Sequence, residues 1–154
     1  MALEVGAVAP DFELPLKLGE PPIRLSDYRG ERPVVLLFFP LAFSSVCTAE
    51  MCTVAENYSS WQGLDAEVIG ISVDSPFVNQ KFAEECNAPF PIVSDFNKSA
   101  SAEYGVLYDE FVGLKGVSKR AAFVVDKDGR ISYAWASDDP KITPDFDAIM
   151  AFLG

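Results

Sequence analysis

Pro33-Val34-Val35-Leu36-Leu37-Phe38-Phe39-Pro40-Leu41-Ala42-Phe43-Ser44-Ser45-Val46-Cys47-Thr48-Ala49-Glu50-Met51-Cys52 reads as a buried strand that empties through a tight turn into a helix beginning at a cysteine. Backbone N–H groups at a helix N-terminus are unpaired and carry the positive end of the macrodipole. They favour thiolate over thiol, and the thiolate is the nucleophile. The stretch therefore marks Cys47 as a reactive residue placed where a strand hands over to a helix.

The same alternation runs outward in both directions and predicts an α/β layer structure. Upstream lie an extended start from Gly6 to Leu14, a Pro21-Pro22 break, and a helical turn Leu25-Ser26-Asp27-Tyr28-Arg29-Gly30 closed by glycine; the Val34 to Phe39 strand follows. Cys47 to Trp61 has helical spacing with Gly63 near its end, and Glu67 to Val73 is a nearly continuous apolar strand, as expected when both sheet faces are covered. Pro76 opens another helix running to about Cys86, since a proline there forfeits an N–H that would be unpaired anyway. Pro89 to Asp95 reads as a short strand and Ser99 to Tyr104 as a short helix. Phe123 to Val125 and Ile131 to Trp135 form a hairpin on Asp126-Lys127-Asp128-Gly129, and Asp145 to Leu153 is a helix covering a sheet face. No boundary or repeat divides the chain, so residues 1–154 are expected to form one domain, long enough at 49% hydrophobic residues to bury a proper core.

Composition removes whole classes of chemistry. The sequence contains no histidine, which excludes a Cys-His dyad, a histidine base and any histidine-bearing zinc site. Cys47 and Cys52 lack the two-residue spacing of a zinc knuckle and Cys86 is the only other soft ligand, so neither a metal nor another cofactor is expected. A net charge of −11 offers no basic stripe for nucleic acid and is repelled by anionic membrane surfaces. The Val34 to Phe43 run, interrupted by Pro40, is too short to span a bilayer, and no basic-plus-apolar leader is visible, so a cytoplasmic protein is expected. In a reducing compartment, cysteines close in sequence read as redox chemistry. With no histidine, thiol activation falls to the helix terminus and a cation. Arg120, immediately before the apolar Ala121-Ala122-Phe123-Val124-Val125, is the candidate, and the alternative for it is a solvated strand-end arginine.

Pro40-Leu41-Ala42-Phe43-Ser44-Ser45-Val46-Cys47 resembles the active-site pattern of the peroxiredoxins: a proline, a hydroxyl residue four on, and a cysteine three further. Gly6 to Leu14, Leu25 to Gly30 and Arg120 to Asp126 resemble other segments of that family in the expected order, so nearly the whole chain is covered. A second cysteine five positions after the first is similar to the bacterioferritin comigratory protein branch, and Phe39 to Phe43 to the related AhpE-like branch. The resemblance implies a thioredoxin-like fold, with a central mixed β-sheet flanked by helices. It implies thiol-dependent reduction of hydrogen peroxide and organic hydroperoxides, with a thioredoxin- or glutaredoxin-like reductant and a monomeric or homodimeric protein.

In that chemistry the Cys47 thiolate attacks one peroxide oxygen while negative charge builds on the other. The resemblance assigns Arg120, the Ser44 hydroxyl and the amides of Val46 and Cys47 as donors around the leaving oxygen, Pro40 as a shield from water, and Glu50 as the ion-pair partner that holds Arg120. Ser44 stands where the family usually has threonine, which loosens the hydroxyl, and Ala122 stands where threonine is common. Attack leaves a sulfenic acid that must be resolved. Cys52 is the expected partner. An intact helix, however, holds residues five apart at about 8–9 Å between Cα atoms, beyond disulfide reach, so the first turns of that helix are expected to unwind on oxidation. Cys86, on the Pro76 helix, is the rival resolving residue or else a buried inert thiol, and Cys52 could equally be a small core residue. Phe39, Phe43 and Trp135 could favour apolar hydroperoxides, and joint exposure of Phe43 and Tyr108 would point to a dimer. A thiol-disulfide reductase and a non-catalytic redox sensor on the same fold are the alternative functions.

Overall fold

The computed structural model describes residues 2–153. Its elements, in chain order, are β1 (Glu13–Leu14), β2 (Ile23–Arg24), a 3-10 turn (Leu25–Tyr28), β3 (Val34–Phe38), α1 (Ser45–Glu56), α2 (Tyr58–Gly63), β4 (Glu67–Ser72), α3 (Pro76–Cys86), β5 (Ile92–Ser94), α4 (Ser99–Glu103), β6 (Arg120–Val125), β7 (Ile131–Ser137) and α5 (Phe146–Leu153). β1 and β2 form a small antiparallel ribbon, and the other five strands make one sheet in the order β5-β4-β3-β6-β7. β3, β4 and β5 run parallel, whereas β6 and β7 are antiparallel to their neighbours, so the sheet is mixed.

β3 is central and buried along its length, which is why its sequence is unbroken Val-Val-Leu-Leu-Phe instead of alternating. Its side chains still divide by parity. Leu36 and Phe38 join a cluster with Tyr104, Phe123, Ile71 and the N-terminal segment. Val35, Leu37 and Phe39 join Cys47, Met51, Trp61, Phe82 and Ile149 from the helices on the opposite face. All three cysteines belong to, or pack against, this second layer. The pairing of β3 with β6 is antiparallel, with Phe38 opposite Ala121. The carboxyl end of β3, from which the Pro40 loop leads into α1, therefore lies beside the amino end of β6, where Arg120 sits. A pair of residues far apart in sequence is brought together by one strand register.

Some boundaries differ from expectation. The single helix expected from Cys47 to Trp61 starts two residues earlier and is interrupted at Asn57, whose side chain donates to Thr53 O at 2.9 Å and so offers the backbone an alternative to continuing the ladder. β6 starts at Arg120 instead of Phe123 because Arg120 and Ala121 pair with Ser137 and Ala136, and the Pro89–Asp95 segment contributes only Ile92–Ser94 to the sheet. α3 runs from Pro76 to Cys86 as read, with the Ser75 hydroxyl accepting from Val78 N at 3.3 Å. Among the described residues no helix is long and apolar enough to cross a membrane.

Phe38 is fully buried, 5.4 Å from the Tyr104 ring and 5.9 Å edge-on to Phe123. Phe38→Ala is expected to lower stability by about 3–5 kcal/mol in urea melts of the reduced protein, with the cavity it leaves confined to the layer opposite the cysteines.

Candidate active site

Ser44, in an extended conformation, precedes α1 and its carbonyl accepts from Thr48 N at 2.8 Å, so Cys47 sits in the first helical turn. The amides of Val46 and Cys47 have no acceptor among the described residues, as expected for that turn. Arg120 Nη2 donates to Cys47 Sγ at 3.1 Å, across a sequence separation of 73 residues. The same guanidinium donates through Nη1 to Glu50 Oε1 at 2.6 Å, and through Nε and Nη2 to Pro140 O at 3.1 and 2.9 Å. With its fork spent on three partners, two on α1 and one in the segment after β7, and only 1% exposed, Arg120 is fixed in position. Burial works against its charge, but Glu50 and Cys47 outweigh burial and hold the guanidinium above its ordinary pKa.

Cys47 and Arg120 form the floor of a cleft of about 220 Å³, with Pro40, Leu41, Ser44, Phe111 and Pro140 among its walls. Cys47 itself is only 1% exposed. Pro40 is buried, so it closes the side of the cleft nearest β3. The structure thus brings Cys47, Arg120, Glu50, Pro40, Val46 and Ser44 into one neighbourhood.

Three expectations need correction. The Ser44 hydroxyl donates to Leu41 O at 2.8 Å instead of pointing its hydrogen into the cleft, which leaves only lone pairs for an incoming group. The aromatic residues expected around the site stand elsewhere. Phe39 is buried against Phe82 at 5.5 Å, and Phe43, with a left-handed φ of 68°, turns its ring onto Phe82 at 5.2 Å. Trp135 lies on β7, outside the cleft lining. The aromatic wall is Phe111, from a segment with no periodicity to mark it, and Tyr108 is half-buried, stacked on it at 5.1 Å. Lastly, Cys86 is not an inert thiol: it is disulfide-bonded to Cys52, with Cα atoms 4.7 Å apart, and Cys47 is the free cysteine.

Sequence reasoning also missed Pro140 and Asp74. Asp74 Oδ2 accepts from Ala42 N and from the Ser72 hydroxyl, both at 2.7 Å, and so ties the Pro40–Ser44 turn to the loop that opens α3. An aspartate two residues before a helical proline reads from sequence as simple turn chemistry, and nothing local names its partner. Asp74→Ala is expected to cost about 1–3 kcal/mol and to speed amide exchange at Ala42, measured by hydrogen exchange.

Glu50 is buried, and among the described residues its Oε2 has no hydrogen-bond partner, since Arg120 reaches only the other oxygen. Burial, opposed by Arg120, raises its carboxyl to about 7. Between its ordinary value of 4.5 and about 7 the folded protein keeps a proton that the unfolded chain has released, so this group's contribution to stability falls as pH rises through that window. Urea melts should therefore show wild type losing stability relative to Glu50→Gln across the window, with no further relative change above it.

Residues 5–134 match the AhpC/TSA family. The chain is 36% identical over 143 residues to the chloroplastic 2-cysteine peroxiredoxin of Chattonella marina var. antiqua, covering 87% of this chain and 71% of that one. It is 35% identical over 141 residues to peroxiredoxin Bcp of Bacillus subtilis, covering 88% and 86%. It spans about half the length of the chloroplastic plant relatives it matches. The crystal structure of peroxidoxin BcpB from Mycobacterium tuberculosis superposes with a TM-score of 0.86 at 31% identity, over 98% of this chain and 96% of that one.

Proposed function

The chain belongs to the AhpC/TSA family, and on that footing we infer that it is a thiol-dependent peroxidase in which Cys47 is the nucleophile. The observation that carries this reading is the contact of Cys47 Sγ with a buried guanidinium at the floor of a cleft. The Cys47 thiolate forms an S–O bond with one oxygen of a hydroperoxide as the O–O bond breaks. The electron pair leaves on the second oxygen, which takes up a proton as alcohol or water, and Cys47 becomes a sulfenic acid. Charge on the leaving oxygen is met by Arg120, whose position is already set by Glu50 and Pro140, and by the free amides of Val46 and Cys47. Ser44, its hydrogen committed to Leu41, accepts from the peroxide O–H instead of donating. Pro40 keeps water from the thiolate.

The apolar walls provided by Pro40, Leu41, Phe111 and Pro140 suit organic hydroperoxides as well as hydrogen peroxide. Cys52 then attacks the sulfenic sulfur to form a Cys47–Cys52 disulfide and release water, which requires the first turns of α1 to open. A thioredoxin- or glutaredoxin-like dithiol returns the electrons. We read residues 1–154 as one domain that carries this cycle in the cytoplasm, as a monomer or homodimer.

Stopped-flow mixing of reduced protein with a hydroperoxide, following loss of the Cys47 thiol, tests the reading. Cys47→Ser is expected to abolish turnover, and Arg120→Met to slow the oxidation about 100- to 1,000-fold. Turnover retained by Cys47→Ser, or an Arg120→Met rate equal to wild type, would overturn it in favour of a thiol-disulfide reductase or a redox sensor, neither of which needs the guanidinium.

A further inference from the structure

The bond between Cys52 and Cys86 coexists with an unbroken α1 and a free Cys47. Resting on the peroxidase reading above, we propose that Cys86 is a second resolving residue: the disulfide formed between Cys47 and Cys52 is passed on to Cys52–Cys86, which is the oxidised form presented to the reductant.

The electrons balance in three steps. Peroxide converts Cys47 to the sulfenic acid. The Cys52 thiol attacks that sulfur, giving Cys47–S–S–Cys52 and water. The Cys86 thiolate then attacks the Cys52 sulfur, forming Cys52–S–S–Cys86 and expelling the Cys47 thiolate, so one disulfide breaks as another forms and no further oxidant is consumed.

Geometry gives the exchange its direction. A Cys47–Cys52 bridge is incompatible with a helical Cys47–Cys52 segment and would pull Glu50 and Cys47 off Arg120. The Cys52–Cys86 bridge joins α1 to α3 with the helix intact and every Arg120 contact in place. Cys86 is also well placed to intercept the first bridge. Its Sγ lies 3.9 Å from the carbonyl of Thr48, the residue next to Cys47, and it shares an apolar cluster with Cys47. Arg120 stands where the departing Cys47 thiolate returns, which favours Cys47 as the leaving group.

Exposure supplies the reason for the step. Cys47 is 1% exposed at the bottom of its cleft, out of reach of a protein reductant, whereas Cys52 is only partly buried. The exchange carries the oxidising equivalent from a buried sulfur to an accessible one and lets the active-site helix re-form before a partner docks.

The test is rapid-quench disulfide mapping of pre-reduced full-length protein given one equivalent of hydrogen peroxide. Cleavage after Glu50 separates Cys47 from Cys52, so the two bridges are distinguished by mass. In wild type the Cys47–Cys52 bridge is expected first and to decay as Cys52–Cys86 appears, with Cys47 recovered as a free thiol. Cys86→Ser should trap the Cys47–Cys52 bridge, and Cys47→Ser should form Cys52–Cys86 at least 100-fold more slowly than wild type. Formation of Cys52–Cys86 in Cys47→Ser at the wild-type rate would make that bond a structural one and overturn the proposal. A Cys47–Cys86 bridge formed in Cys52→Ser at the wild-type rate of resolution would overturn it too, as direct resolution. Either result leaves fast Cys47 oxidation untouched, whereas a Cys47 that peroxide does not oxidise rejects the peroxidase reading itself.

Discussion

A single buried guanidinium holds the site together. Arg120 reaches α1 through Cys47 and Glu50 and the segment after β7 through Pro140, while its own backbone belongs to the central sheet. Its charge is stable without water because two acidic partners face it. To strand it by deleting one would leave an uncompensated buried ion, a loss of about 3–5 kcal/mol in comparable buried pairs. The antiparallel β3–β6 register is what puts this residue at the mouth of α1. Shifting that pairing by one residue would turn Arg120 to the opposite sheet face and remove the cation from the thiol.

Glu50 illustrates the cost of such an arrangement. It positions Arg120 with one oxygen and leaves the other buried and unbonded. Its carboxyl therefore titrates near neutrality, and the charge that Arg120 presents to Cys47 is less fully neutralised by Glu50 once that carboxyl is protonated. Positioning and charge compensation are thus partly separate tasks of the same side chain.

Helix geometry separates the two kinds of sulfur chemistry in the molecule. Within α1, Cys47 and Cys52 are too far apart to bond, while the packing of α1 on α3 sets Cys52 against Cys86. Cys47 is 1% exposed and held by the Arg120 guanidinium, whereas the bonded pair joins a buried Cys86, 6% exposed, to a partly buried Cys52. The Asp74 tether from the active-site turn to the start of α3 keeps these two regions in fixed relation.

Much of this was legible in the chain before any coordinates. The continuous apolar runs of β3 and β4, the Pro76 start of α3 and the hairpin after Val125 follow from local periodicity and turn chemistry, which act within a few residues. The placement of Cys47 in the first turn of a helix follows from the strand-to-helix handover around Pro40, also a local feature. The partnership of Cys52 with Cys86, the wall formed by Phe111, the Pro140 carbonyl under Arg120 and the Asp74 tether were decided only by tertiary structure. Each depends on how strands order in the sheet and on how one helix packs beside another. Those are long-range choices that a run of neighbouring residues does not encode in its own spacing.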